Sequence, residues 1–254
     1  MILTRSGGGV ETKSTSRFAI LVGTLFAVTL LVAACSTPKS RTPFIFADFS
    51  QLPDGPAPDR FTSGQPASVW SPDDPSWRLR IEQGRLTYDP TTPARAAGYF
   101  RTPDMGSPIT RIGMEWTVEP RPNGGPGIAA LGVMGAPVNP SADRSTPLAL
   151  HFTVVRDGWN YSVSPGKLGE DSRLVTLGEG VFDPPLVEDG ITVHRAEVTL
   201  DGPNATIQLP NASTERVSDP RIAEWAGRFG FFEVFSQSGS ADGRVGLVRV
   251  WAGT

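Results

Sequence analysis

Residues 148–164 read LALHFTVVRDGWNYSVS. Side chains alternate between faces along a strand. Leu148, Leu150, Phe152 and Val154 therefore fall on one side of an extended chain, and His151 and Thr153 on the other. Asp157-Gly158 then interrupts the run before WNYSVS resumes it. Asp-Gly between two such runs is a strong hairpin signal. The stretch predicts two antiparallel strands with one buried and one polar face.

The same pattern extends outward in both directions. Before it stand FIFADF (44–49), WRLRIE (77–82), RLTYD (85–89), AGYFR (97–101), ITRIGMEWTVE (109–119) and GIAALGVMG (127–135). After it stand RLVTL (173–177), ITVHRAEVTL (191–200), ATIQL (205–209), FGFFEVFSQ (229–237) and RVGLVRVW (244–251). Gln83-Gly84 and Asp201-Gly202-Pro203-Asn204 mark two further turns. One short helix is predicted near 218–227, with Ser218 as cap, Pro220 in its first turn, Gly227 at its end, and Ile222 and Trp225 on one face. Residues 50–76 and 136–147 are proline-rich and predict loops. Many short, turn-bounded strands with one helix predict an all-β, two-sheet antiparallel sandwich rather than alternating α/β units.

Composition narrows the function classes. The chain has 254 residues, 39% of them apolar and 19% charged, which excludes a disordered polyelectrolyte. A net charge of -3 leaves no electrostatic footprint for nucleic acid. The single cysteine excludes an internal disulfide and a cysteine zinc cluster. With two histidines, no metal-ligand set can be assigned from sequence, and no cofactor is expected.

The N-terminus predicts export. Arg5, Lys13 and Arg17 precede an apolar run from Phe18 to Ala34, which ends in small residues before Cys35. Basic, apolar and small segments in that order describe a secretory signal. The run also approaches the ~17-residue minimum of a membrane span, so an uncleaved anchor is the alternative. LVAAC (31–35) resembles the lipobox of bacterial lipoproteins. That resemblance implies lipidation of the Cys35 thiol, cleavage before it, and a cell-membrane location on the extracytoplasmic face. Residues 1–34 would be the signal peptide and 35–43 a lipidated tether (36–43 reading STPKSRTP), with 44–254 the folded domain. One acyl chain binds only marginally and two or three bind stably, so the membrane partner would be held through lipid.

The folded part resembles the concanavalin A-like jelly roll, the sandwich of legume lectins, laminin-G-like modules and many glucanases. An FADFS start (46–50) is followed by WRLRIEQGRLTYDP (77–90). Next come EWTVEPRPNGGPGIAALGVMG (115–135) and VEDGITVHRAEVTLDGPNATIQLP (187–210), and FGFFEVFSQ and VGLVRVWA close the chain. The tryptophan expected before His194 is Val193. The resemblance implies a lectin-like or glucanase-like partner, a polysaccharide or cell-wall glycan. The resemblance also makes calcium an expected ion of such a fold, with Asp73-Asp74 as candidate ligands and no full ligand set assignable.

Strand parity nominates the site. If the strands share one sheet, its outer face carries Arg111, Glu115, Glu119, His151, Arg195, Glu197 and Glu233, as a ladder of ion pairs or a binding face. Glu115-Trp116-Thr117-Val118-Glu119 resembles the Glu-x-Asp-x-Glu strand of laminarinase-type hydrolases. That likeness implies Glu115 as nucleophile and Glu119 as acid/base, about 5–5.5 Å apart for retention. Thr117, which cannot carry charge, stands where the family has Asp. His194 is expected as a hydrogen-bonded sheet residue, and Trp70, Trp77, Trp159 and Tyr161 are candidates for sugar stacking. Three readings stay open: a non-catalytic module binding a glycan or another envelope component, a glycoside hydrolase or lyase, and a protein-interaction or structural module.

Overall fold

The computed structural model describes residues 44–70, 79–88, 96–121, 124–135, 149–164, 174–236 and 242–254, all within the unit Thr42–Thr254. The signal, Cys35, the tether, Asp73-Asp74, Trp77 and the Trp70 side chain lie outside the described residues.

The first eight strands are β1 (Phe44–Asp48), β2 (Gly55–Pro56), β3 (Ser68–Trp70), β4 (Leu79–Glu82), β5 (Arg85–Tyr88), β6 (Ala96–Arg101), β7 (Arg111–Glu119) and β8 (Ile128–Met134). Then follow β9 (Ala149–Val155), β10 (Gly158–Ser164), β11 (Val175–Val181), β12 (His194–Asp201), β13 (Asn204–Gln208) and β14 (Thr214–Ser218). Helix α1 (Pro220–Glu224), β15 (Phe229–Ser236) and β16 (Arg244–Gly253) complete the chain.

They form two antiparallel sheets. The nine-stranded sheet runs β14-β13-β12-β7-β16-β5-β4-β2, with β1 also paired to β16. The seven-stranded sheet runs β11-β10-β9-β8-β15-β6-β3. The alternation read from sequence sets their inner faces. Ile112, Met114, Trp116 and Val118 of β7 and Ala196 and Val198 of β12 are buried in one core with Leu131, Leu150, Phe152 and Phe232. Each large apolar side chain so buried contributes about 1.5–3 kcal/mol, so parity is strongly enforced: a one-residue slip would turn this set to solvent.

Local expectations are refined at four places. Gly158 is not the turn glycine. It already pairs with Val155, and Arg156 and Asp157 form the turn. Its missing Cβ matters because one would run into the Gly180 carbonyl oxygen of β11. Residues 191–193 are not strand, because the Asp189 carboxylate accepts from the backbone N–H groups of Ile191 (2.8 Å) and Thr192 (2.6 Å) and holds a turn there. Part of the predicted loop 50–76 pairs as β2 and β3. The helix is capped by Asp219, not Ser218, which pairs with Asn204 in β14. Asp219 accepts from the Arg221 N–H at 2.9 Å, and the helix ends at Glu224, before Gly227.

Candidate functional site

The residues expected on one face divide between two. β7 and β12 are neighbours in the nine-stranded sheet, whereas β9 and β15 belong to the other. Arg111, Glu115, Glu119, Arg195 and Glu197 therefore face out from one sheet, and His151 and Glu233 from its opposite. Parity within a strand is a local property. Sheet membership depends on long-range pairing that alternation does not encode.

Around Glu115 and Glu197 on the nine-stranded sheet the charges neutralise one another. Arg111 forks onto Glu197, with Nε to Oε1 and Nη2 to Oε2 both at 2.8 Å. The Trp251 indole N–H donates to Glu197 Oε2 at 2.9 Å. Trp251 lies over Gly113, where a Cβ would collide with its ring, and the Arg195 guanidinium stacks 4.6 Å above it. Glu115 gives one oxygen to Arg195 and the other to Arg249, each at 3.3 Å. Arg249 Nε also donates to Asp48 at 2.9 Å. Glu115 is thus occupied on both oxygens by cations. Glu119, at the strand end, has a half-exposed side chain and only a 4.0 Å approach from Arg244. This is an ion-pair ladder with an embedded tryptophan. β16 was legible as a strand, but strict alternation would put Arg249 and Trp251 on the side of buried Val245 and Leu247; a register irregularity between Leu247 and Arg249 turns them to the outer side, opposite Glu115 and Gly113 of β7.

The outer face of the seven-stranded sheet is built differently. Register aligns Tyr99, Glu233, Ala130 and Thr153 across β6, β15, β8 and β9. The next row holds Arg101, Phe231, Gly132 and His151. Ala130 and Gly132 are the small floor of both rows. They let longer neighbours meet over β8: His151 Nε2 lies 2.9 Å from Glu233 Oε2. Phe231 folds over Gly132 onto His151, ring centroids 5.4 Å apart and 27° inclined. Tyr99 meets Phe231 edge to face at 5.7 Å. Thr153 Oγ1 is 3.3 Å from His151 Nδ1.

In the tautomer that carries the proton on Nε2, His151 donates to Glu233 Oε2 and its Nδ1 accepts from the Thr153 hydroxyl. Among the described residues, Glu233 Oε1 keeps an unused acceptor position. The Glu233 and His151 side chains are 7% and 19% exposed, so the carboxylate is largely desolvated while the ring edge remains accessible. A planar acceptor, a planar donor and rings above a small-residue floor can pair with hydroxyl groups and pack against a C–H face. Tyr99 and Gly132 were not nominated from sequence. Alternation along 229–237 puts Glu233 on one side with Phe229, Phe231 and Phe235, but the ring partners of Phe231 come from other strands.

Trp159 and Tyr161 are core residues, 8% and 2% exposed, on the inner side of β10, so they do not stack on a ligand. His194 is a buried sheet residue whose Nε2 pairs with the Val187 carbonyl at 2.7 Å, as expected. Among the described residues, no three His, Cys, Asp or Glu side chains gather to hold a metal.

No protein-family model matches the chain, and no curated protein does. Solved structures do. The chain is similar to the carbohydrate recognition domain of Emp47p, with TM-score 0.55 and 11% identity over 86% of this chain and 99% of that one. It is similar to lectin UEA-II complexed with galactose, with TM-score 0.51 and 10% identity, covering 84% and 98%. The CBM2 module of the evolved Dit of Lactobacillus casei BL23 phage J-1 gives 0.51 and 12%, covering 84% and 96%. At such identities the likeness is one of fold: a lectin-like jelly roll, as the sequence resemblance implied.

Proposed function

We propose that this domain binds a glycan on the outer face of its seven-stranded sheet, without catalysis, and that lipid on Cys35 holds it to the cell envelope. The observation that carries the reading is the His151–Glu233 pair, set among Tyr99 and Phe231 over the Ala130–Gly132 floor. Glu233 Oε1 and the Thr153 hydroxyl take sugar hydroxyl groups, and Tyr99 borders the ring. The lectin-like fold supports a glycan partner. The occupied carboxylate of Glu115 favours binding over hydrolysis, because a nucleophile clamped by two guanidinium groups is not offered to an anomeric carbon.

Binding of the purified full chain to a glycan array tests the site. His151→Ala and Glu233→Gln should weaken the best glycan about tenfold, as loss of a charge-assisted hydrogen bond does. Arg195→Ala, on the opposite sheet, should not. Equal binding by all variants, or no glycan bound by the wild type, refutes the reading. A reducing-sugar screen should detect no turnover; release that Glu119→Gln abolishes would favour the hydrolase. Palmitate labelling should disappear in Cys35→Ala, and unchanged labelling removes the lipid anchor.

A further inference from the structure

A second polar groove opens on the nine-stranded sheet, away from the proposed glycan face. It has a volume of about 440 Å³ and is lined by Glu82, Arg85, Thr87, Glu119, Arg121 and Arg244, among others. Its origin is a change of side-chain size across three strands. Thr87, Gly246 and Thr117 stand side by side on β5, β16 and β7, and long charged side chains surround them. Gly246 admits the Arg85 stem, whose Cδ would lie 2.9 Å from a Cβ there.

The charges in this groove do not cancel. Arg244 is 7% exposed and already committed: it forks onto Glu82 at 3.1 and 2.8 Å and donates to the Tyr88 carbonyl at 2.8 Å. It therefore consumes Glu82, although Glu82 stands directly opposite Arg85 in the β4–β5 pairing. Among the described residues, the Arg85 and Arg121 guanidinium groups have no carboxylate partner. Two polar atoms beside them are buried and unsatisfied, Arg244 Nε and Thr117 Oγ1. The half-exposed Glu119 carboxylate, 4.0 Å from Arg244, remains a hydroxyl acceptor.

We infer that this groove is a second ligand site that takes the carboxylate of an acidic sugar, a uronate, through Arg85 and Arg121. A guanidinium fork matches a planar carboxylate with two parallel hydrogen bonds, and Glu119 accepts from the neighbouring ring hydroxyl. The volume lies within the range of small-ligand sites. A chain of net charge -3 would repel a polyanion at long range, so recognition here is local and sensitive to salt.

The test is isothermal titration of the purified full chain with tetragalacturonate, its neutral methyl ester, and inorganic phosphate. The wild type should bind the acid at least tenfold more tightly than the ester. Arg85→Gln and Arg121→Gln should each weaken the acid about tenfold, while His151→Ala leaves it unchanged. That last arm separates this site from the glycan face, since either can fail alone. Failure of the wild type to bind the acid, equal binding of acid and ester, or unaltered binding by both arginine variants overturns the inference. Phosphate binding with the same arginine dependence, without uronate binding, would make this a simple anion site and also overturns it. Thermal melting keeps the test sound: both arginines are partly exposed, and a variant that melts like the wild type is folded.

Discussion

Glu197→Ala separates a structural ladder from a ligand-binding surface on the nine-stranded sheet. The Glu197 carboxylate is 9% exposed and holds Arg111, whose side chain is half-exposed. Removing the carboxylate lets Arg111 and Arg195 rehydrate, so the ion pairs themselves account for under about 1 kcal/mol. The Trp251 indole N–H differs. Trp251 is 8% exposed, and Glu197 Oε2 is the acceptor for its N–H. A buried donor left without a partner costs about 1–3 kcal/mol. Together these give about 3 kcal/mol for Glu197→Ala, or a melting temperature about 6–12 °C lower for a domain of this size. Glu197→Gln keeps an acceptor for Trp251 and loses only the charge, so about 1 kcal/mol and 2–4 °C are expected. In a Trp251→Phe background the alanine substitution should cost markedly less, because the orphaned donor is gone. Urea denaturation of the four proteins and the double variant gives these terms. Equal effects of Ala and Gln, or no coupling to Trp251, would refute the reasoning and leave the ladder a set of solvated pairs.

Tyr161→Phe should raise the urea midpoint or leave it unchanged. The phenol is buried with no hydrogen-bond partner among the described residues, and burial pushes its pKa up; a loss above about 1 kcal/mol would show a partner instead. Gly132→Ala should abolish the glycan face and destabilise the fold, since its Cβ would run into the Leu150 carbonyl oxygen and lie 2.5 Å from Phe231 Cζ; a folded variant that still binds glycan contradicts the stacking. Asp219 is held at about 2 by the guanidinium and then the backbone N–H of Arg221. Its folded pKa lies below the unfolded value, so its contribution is present above about pH 4 and is lost as pH falls towards 2. The stability gap between wild type and Asp219→Asn at pH 6 should therefore close near pH 2, and a constant gap would refute the linkage.

Much of the fold was legible because alternation is a strong local signal. The runs around 148–164 and 109–119 named the core side of β9 and β7, since a misplaced register exposes every apolar residue at once. The outward direction of Arg111, Glu115, Arg195 and Glu197 was legible for the same reason, since they alternate with buried neighbours. Turn chemistry was less so. Gly158 is a glycine because β11 passes close to it, a fact about a strand some twenty residues away, and Asp219 displaces Ser218 as cap because β14 claims Ser218 for its ladder. The site lay furthest from reach. Whether His151 meets Glu115 or Glu233 depends on which sheet each strand joins, and that is decided by pairings between residues more than eighty positions apart. In the groove lined by Arg85 and Arg121, Glu82 is taken by Arg244 across 162 positions rather than by Arg85 opposite it. Local sequence sets which way a side chain points from its strand; only the closed sandwich decides what it meets there, because ion pairs and stacking act over a few ångströms while the chain brings those partners from anywhere along its length.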